Sequence, residues 1–262
     1  LFIVGVLTVI GSVVGGYVMH GGNLAVLWQP TEVLIICGAA LGSFLIGNPM
    51  KVVKKVGKSL KYIVKGSPYK TKDYVELLTL IYSACKLMKS KGMLEMESHV
   101  ENPNESALFS KYPGVLKNKH AMHFFCDYLR LMTMGMGDYY QMEDLMTKDL
   151  ELQHEAHAHV SGAITGMGDA MPALGIVAAV LGVIITMGSI SEPPEILGKL
   201  IGAALVGTFL GVLLAYGFIG PIGHFLGSYF EDESHYMNCT KVGLLSHMKG
   251  NAPALKVEIA RN

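Results

Sequence analysis

Four long stretches of this 262-residue chain carry no charged side chain except one Glu just before the second, and they limit what it can fold into. They are Leu1–Met19, Val33–Met50, Ala170–Ser191 and Leu200–Gly223. Each is close to the roughly 20 residues that a helix needs to cross a bilayer core. A core helix of a soluble domain keeps a polar stripe, and these stretches have no charge on any face. A signal peptide needs a basic leading region, which the first stretch lacks. The chain opens on Leu1, so a start residue is expected to precede it.

Composition agrees. Hydrophobic residues make up 51% and charged residues only 16%, against about 25% charged in a soluble domain. That excludes a disordered chain. Four cysteines are too few for a disulfide-stapled secreted domain of this length. A pI near 7.3 argues against a nucleic-acid binder.

Charge sets the orientation. Lys51, Lys54, Lys55, Lys58, Lys61, Lys65, Lys70 and Lys72 follow the second stretch before the first acid, Asp73. Basic flanks stay in the cytoplasm, so residues 51–169 are expected there, together with both termini. The short loops near 20–32 and 190–199 then face outward. Trp28 and Tyr17 suit a membrane interface. Cys85, Cys126 and Cys239 fall in a reducing compartment and Cys37 in the membrane, so free thiols are expected.

The expected fold is an all-α integral membrane protein with four transmembrane helices and a helical cytoplasmic domain between spans 2 and 3. Residues 1–50 hold spans 1 and 2, 51–169 the cytoplasmic domain, 170–226 spans 3 and 4, and 227–262 a cytoplasmic helix and tail. From Asp73, apolar residues recur at helical spacing through Met88, and Gly92 ends that helix. A short helix around Met93–His99 stops at Asn102-Pro103. Ala121–Met134 has one apolar side. Asp138 is placed to cap a long helix, with Gln141 in capping-box position. That helix runs past His159 and can continue into span 3. Tyr229–Lys249 has the pattern of one more amphipathic helix.

Motifs for soluble chemistry are missing: no phosphate loop, no Gly-x-Ser-x-Gly, no Cys-x-x-Cys, no dinucleotide fingerprint. His154, Glu155, His157 and His159 form the best metal candidate, but a solvated helix end explains them equally simply. No Asp, Glu, Lys or Arg sits at mid-depth in any span, although such residues mark ion relays. The spans offer Thr186, Thr208 and Tyr216 hydroxyls, with Pro172 and Pro221 near the cytoplasmic mouth. Either the chain conducts nothing or a second chain supplies a carboxylate. Ala203, Gly207, Gly211 and Ala215 form a ridge of small residues on span 4, and Gly11/Gly15 and Gly38/Gly42 repeat the pattern. Such ridges let helices approach closely, inside one bundle or between chains. The span 4 ridge is the candidate for packing between chains.

The stretch from Gly168 to Gly182, GDAMPALGIVAAVLG, closely resembles the third span of the MotA family of flagellar motor stator subunits. The stretch Val206–Gly217 with Pro221 is similar to the family's fourth span. Glu101–Ser106 and Asp127–Leu131 resemble its cytoplasmic domain, and Gly15-Gly16-Tyr17 and Gln29–Glu32 its N-terminal region. The likeness covers essentially the whole chain. It implies a homo-oligomeric ring, a pentamer, in the bacterial inner membrane around two single-span MotB chains whose Asp carries the ion. It implies torque on the rotor switch protein FliG and no catalytic activity, cofactor, metal or nucleic acid.

The resemblance also assigns residues. Thr208, Ala179, Pro172, Pro221, Tyr216 and Thr186 would line the ion path, the two prolines at its exit. Lys89 and Glu97 match the family's rotor-facing charges, with Lys91, Asp149 and Glu151 as further candidates. The enteric members carry Arg at the basic position; Lys keeps the charge without the bidentate fork. Sodium-driven relatives carry a Thr in span 3 and a Thr pair in span 4, where this chain has Ala179 and Gly207-Thr208. Hard cations need oxygen ligands once stripped of water, so the proton is the expected ion. The alternatives are an ExbB- or TolQ-like energiser, which usually has three spans, a membrane enzyme using the histidine cluster, and a scaffold without ion flow.

Overall fold

The computed structural model describes residues 2–66, 69–250 and 260. Among them every regular element is helical. The chain divides into two compact units, Leu1–Gly66 with His157–Ser228 and Ser67–Ala156 with Tyr229–Asn262.

The first unit holds the apolar helices. They are α1 (Phe2–Met19), a single turn α2 (Leu24–Leu27) and α3 (Pro30–Gly47). The basic helix α4 (Met50–Lys65) follows them. Residues 157–188 of a 50-residue helix, α9 (Tyr139–Gly188), and α10 (Pro194–Leu214) complete the apolar set. Among the described residues four helices are long and apolar enough to cross a membrane, as the charge-free stretches predict. Pro30 and Pro194 open α3 and α10 at the first helical position, where a missing N–H costs nothing. Ile36 and Ala40 of α3 pack with Met171 and Ala178 of α9 and with Ala215. Helix α1 buries none of its residues. Apolar side chains that stay exposed, among them Ile3, Leu7, Leu34, Ile184 and Leu205, suit lipid or neighbouring chains.

The second unit is a helical bundle. It contains α5 (Thr71–Lys91), α6 (Met93–Glu101), α7 (Pro113–Lys117) and α8 (Lys119–Thr133). The start of α9 and residues 229–248 of α11 (Gly220–Met248) join them. Gly92 at φ 86° separates α5 from α6, a backbone state that favours glycine. Asp138 accepts from Gln141 N at 2.8 Å to start α9, as the sequence predicts. Leu80, Ile81, Phe125, Leu129, Met142, Met146 and Tyr236 form the core. The rings of Tyr69 and Tyr74 lean on Tyr236 at centroid distances of 5.1 and 5.4 Å. Glu76 reaches from α5 to accept from Gly114 N at 2.6 Å and so anchors the start of α7. Arg130 ties α8 to α6 through Glu101 at 2.8 Å.

One helix differs from the periodicity reading. Tyr229–Lys249 is not a separate element. The chain stays helical from Pro194 to Met248, through a π-helical turn at Ala215–Ile219. Helix α9 continues into span 3, as the sequence allows, and runs unbroken through Pro172. The tail beyond Gly250, apart from Ala260, lies outside the described residues.

Candidate functional site

The site is the crossing of α9 with α10 and the π turn. It is built by residues that lack side chains. A Cβ at Gly211 would lie 2.7 Å from Met171 O and 2.8 Å from Gly175 Cα. A Cβ at Gly175 would lie 2.9 Å from Gly207 O. Further along, a Cβ at Gly182 would meet Ala204 Cβ at 2.7 Å. The two backbones are in contact, and no larger residue fits without moving one of them.

Part of the small-residue ridge packs inside the chain. Gly207, Gly211 and Ala215 are buried inside the chain and Ala203 is half-buried. Within the chain, Gly211 packs on α9, and Gly207 on α9 and on Glu32 of α3. Gly175 and Gly182, the α9 half of the crossing, are spaced seven apart and so escape a search for small residues four apart, and Ala204 sits one position beside the ridge on α10. By contrast, nothing lies within 4 Å of a Cβ at Gly11, Gly15, Gly38 or Gly42.

The two prolines lie at one end of this crossing. Pro172 has no N–H, so the carbonyl of Gly168 loses its usual helical donor. Pro221 does the same to Gly217, and the backbone just ahead widens into the π turn, where Gly220 N donates to Ala215 O. A Cβ at Gly168 would stand 3.2 Å from Gly220 N and 3.2 Å from Ile219 Cγ2. Gly223 packs on Thr165 next to this point. Two interrupted hydrogen-bond ladders thus lie side by side.

The remaining candidates for the ion path separate. Ala179 and Thr208 are half-buried at the crossing, and Ala179 N is 3.2 Å from where a Gly207 Cβ would be. Thr186 is 1% exposed and donates to Gly182 O at 2.9 Å, so its hydroxyl proton is used by its own helix. Tyr216 is exposed.

Glu32 was not foreseen as part of the site. The charge pattern puts it at the edge of an outer loop. The structure puts it in the first turn of α3, buried against Gly207. Pro30 is the local reason, since it starts the helix two residues earlier than the last polar residues suggest.

In the second unit Lys89 and Glu97 are exposed, on α5 and α6 either side of the Gly92 bend. Leu94, 82% exposed, lies between them in the chain. Lys91 is paired with Glu95 at 3.2 Å. Asp149 is half-buried and accepts from Tyr128 Oη and Gln153 Nε2, both at 3.2 Å. It is committed to the bundle, and burial with Asp149 nearby pushes the Tyr128 phenol up. Glu151 is exposed and shares a shallow groove with His154, Glu155, His235 and Lys241. Among the described residues no group of three His, Cys, Asp or Glu converges as a metal site. None of the four cysteines is in a disulfide among the described residues, and burial pushes the Cys126 thiol up to about 12.

Comparison with known proteins gives the family and the fold. Residues 3–92 match the family model "Motility protein A N-terminal", and residues 117–239 match "MotA/TolQ/ExbB proton channel family". The Motility protein A of Escherichia coli (strain K12) is 43% identical over 262 residues, covering 100% of this chain and 88% of that one. The chemotaxis protein LafT of Vibrio parahaemolyticus is 34% identical over 98% of this chain and 90% of its own. The fold is that of the C. jejuni MotAB structure, with a TM-score of 0.82 at 20% identity over 97% of this chain and 91% of that one. It is likewise that of the Bacillus subtilis flagellar MotAB stator complex, with a TM-score of 0.77 at 23% identity over 98% and 92%. With a full-length relative at this identity and both halves matched by the family's own models, the chain belongs to the Motility protein A family, within the MotA/TolQ/ExbB proton channel group.

Proposed function

We propose that this chain is the ring-forming stator subunit of a bacterial flagellar motor, a multi-pass inner-membrane protein that works with a MotB-type partner. The observation that carries this reading is the likeness to motility protein A along the whole chain. The solved relatives with this fold are MotAB complexes, which supports a partner and a ring. The N-terminal motility match at residues 3–92 favours this over an ExbB- or TolQ-like energiser.

The geometry supports a mechanism. The partner's Asp carries the ion past Ala179 and Thr208. The paired weak points at Pro172 and Pro221 let α9 and the helix after α10 shift when that carboxylate changes charge. Motion passes along the continuous helices toward the exposed charges Lys89 and Glu97, which meet the rotor protein FliG. Thr208 is the sole side-chain oxygen at the Ala179, Gly207 and Thr208 positions, which is too few for a dehydrated sodium ion and favours the proton. The termini lie in the cytoplasm, as the lysines of α4 require.

The test is complementation. Expressed with its partner in a non-motile strain lacking its own A and B subunits, the chain is expected to restore swimming that is independent of sodium. Failure to restore swimming despite normal membrane levels overturns the stator reading. Strict sodium dependence overturns the proton.

A further inference from the structure

Glu32 is the sole acid among residues 1–50. It is 7% exposed, and Oε2 has no hydrogen-bond partner among the described residues. A Cβ at Gly207 would fall 2.8 Å from that oxygen and 3.2 Å from Ala178 Cβ and Ala179 N. The carboxyl therefore fills the space that the missing side chain at 207 leaves, where α3, α9 and α10 meet. Glu32 lies in the first turn of α3, and Gly207 is seven residues past the start of the charge-free stretch Leu200–Gly223, so the carboxyl sits toward one end of the apolar layer and is walled in by apolar residues.

The ionisable side chains of α10 are Glu195 and Lys199, about two turns or more before Gly207 along the helix. Helix α2 has no titratable side chain, nor has α9 from Ala170 to Gly188, nor α10 from Leu200 to Leu214. Helix α3 itself adds Cys37 alone. A carboxylate buried without a counter-charge costs several kcal/mol, and such a group is relieved by a cation or by a proton. A metal cation needs several oxygens, and Ala178, Ala179 and Gly207 supply no side-chain oxygen. A proton needs the carboxyl alone. Acids kept inside membrane helices in this way mark ion relays.

We propose that Glu32 is a proton-holding site of this chain, loaded at the α3, α9 and α10 junction beside Ala179 and Gly207 and exchanging its proton during ion flow. In loading, the carboxylate takes a proton from hydronium, one O–H bond forms at the carboxyl, and water is released. Unloading is the reverse. The proposal rests on the stator reading and adds an acid of the ring's own to the one the partner carries.

The intact complex with its partner, in native membrane vesicles, is treated with dicyclohexylcarbodiimide, which converts a protonated carboxyl in apolar surroundings to a stable N-acylurea. Mass spectrometry is expected to find the adduct on Glu32, falling as pH rises and lost in Glu32→Gln. Glu32→Gln keeps shape and polarity but cannot exchange a proton, and is expected to lose most swimming while still co-purifying with the partner. Glu32→Asp is expected to recover part of it. No adduct at Glu32 at any pH overturns the proposal, as does wild-type swimming by Glu32→Gln. If Glu32→Gln fails to reach the membrane, the pH course of labelling in the unaltered protein decides alone. Should the unaltered chain fail to restore swimming, the stator reading falls. Should it swim while Glu32 neither labels nor matters, this proposal alone falls.

Discussion

Gly168 on α9 and Gly220 at the end of the π turn lie backbone against backbone, with 3.2 Å between a Gly168 Cβ and Gly220 N. Gly168 is the residue whose carbonyl Pro172 leaves without a donor, and Gly220 directly precedes Pro221. Each helix is weakest where it touches the other. A shift at one weak point is therefore met by an element that can also yield, which suits a part that must move and keep its packing.

Pro221→Ala restores the N–H that can donate to Gly217 O. The π turn at Ala215–Ile219 is expected to close into ordinary α-helix, with a local gain of up to about 3 kcal/mol from the lost proline. The more stable protein is expected to turn the motor more slowly. Amide hydrogen exchange across residues 215–221, read beside tethered-cell rotation, checks both halves. Unchanged rotation in a protein whose turn has closed contradicts a role for this joint.

Gly211→Val and Gly175→Val drive a side chain into backbone atoms of the facing helix. Overpacking of this kind costs about 1–3 kcal/mol, and both variants are expected to fall in membrane abundance. Gly198→Val serves as control, because nothing lies within 4 Å of a Cβ there. Immunoblots of membrane fractions give the comparison. Equal loss in all three variants points to a general intolerance of Val and not to the crossing.

Reversal of Lys89 or Glu97 touches exposed side chains. Stability is expected to change by no more than about 0.5 kcal/mol, while torque falls. Asp149→Asn is expected to do the opposite, loosening the Tyr128 and Gln153 contacts before it alters rotor contact. Bead-assay torque and thermal melting of the purified protein, taken together, separate the two classes.

Burial raises Glu233 above the ordinary carboxylate value of 4.5, against the opposing pull of the His120 charge and the Tyr69 hydroxyl. For an acid raised on folding, the stabilisation is complete below 4.5 and fades as pH climbs through the folded value. The bundle around Tyr69 and Tyr236 is thus expected to melt at a lower temperature in neutral than in acidic solution at this site. Glu233→Gln is expected to remove that dependence. Melting curves of the full-length protein and the variant across pH test it, and parallel pH profiles would refute the assignment.

Much of this molecule is legible in its sequence. The missing charges mark four spans, the lysines after Met50 mark a side, Gly92 and Asp138 punctuate the helices, and the blocks at Gly168–Gly182 and Val206–Gly217 identify the family. These are local or periodic features, and a linear chain displays them directly. What stayed hidden depends on partners remote along the chain. The ridge on α10 could not say that it packs in part on its own α9 until Gly175 and Gly211 were seen in contact. Pro221 removes one helical donor, but that the backbone answers with a π turn and not a break depends on how the widened helix packs against α9 at Gly168. Glu32 is the sharpest case. Its neighbours in sequence make it a loop residue, but its neighbours in space, more than a hundred residues away, close an apolar wall around it. Whether an acid is solvated or sealed depends on what surrounds it in three dimensions, and only the packing of the helices decides that.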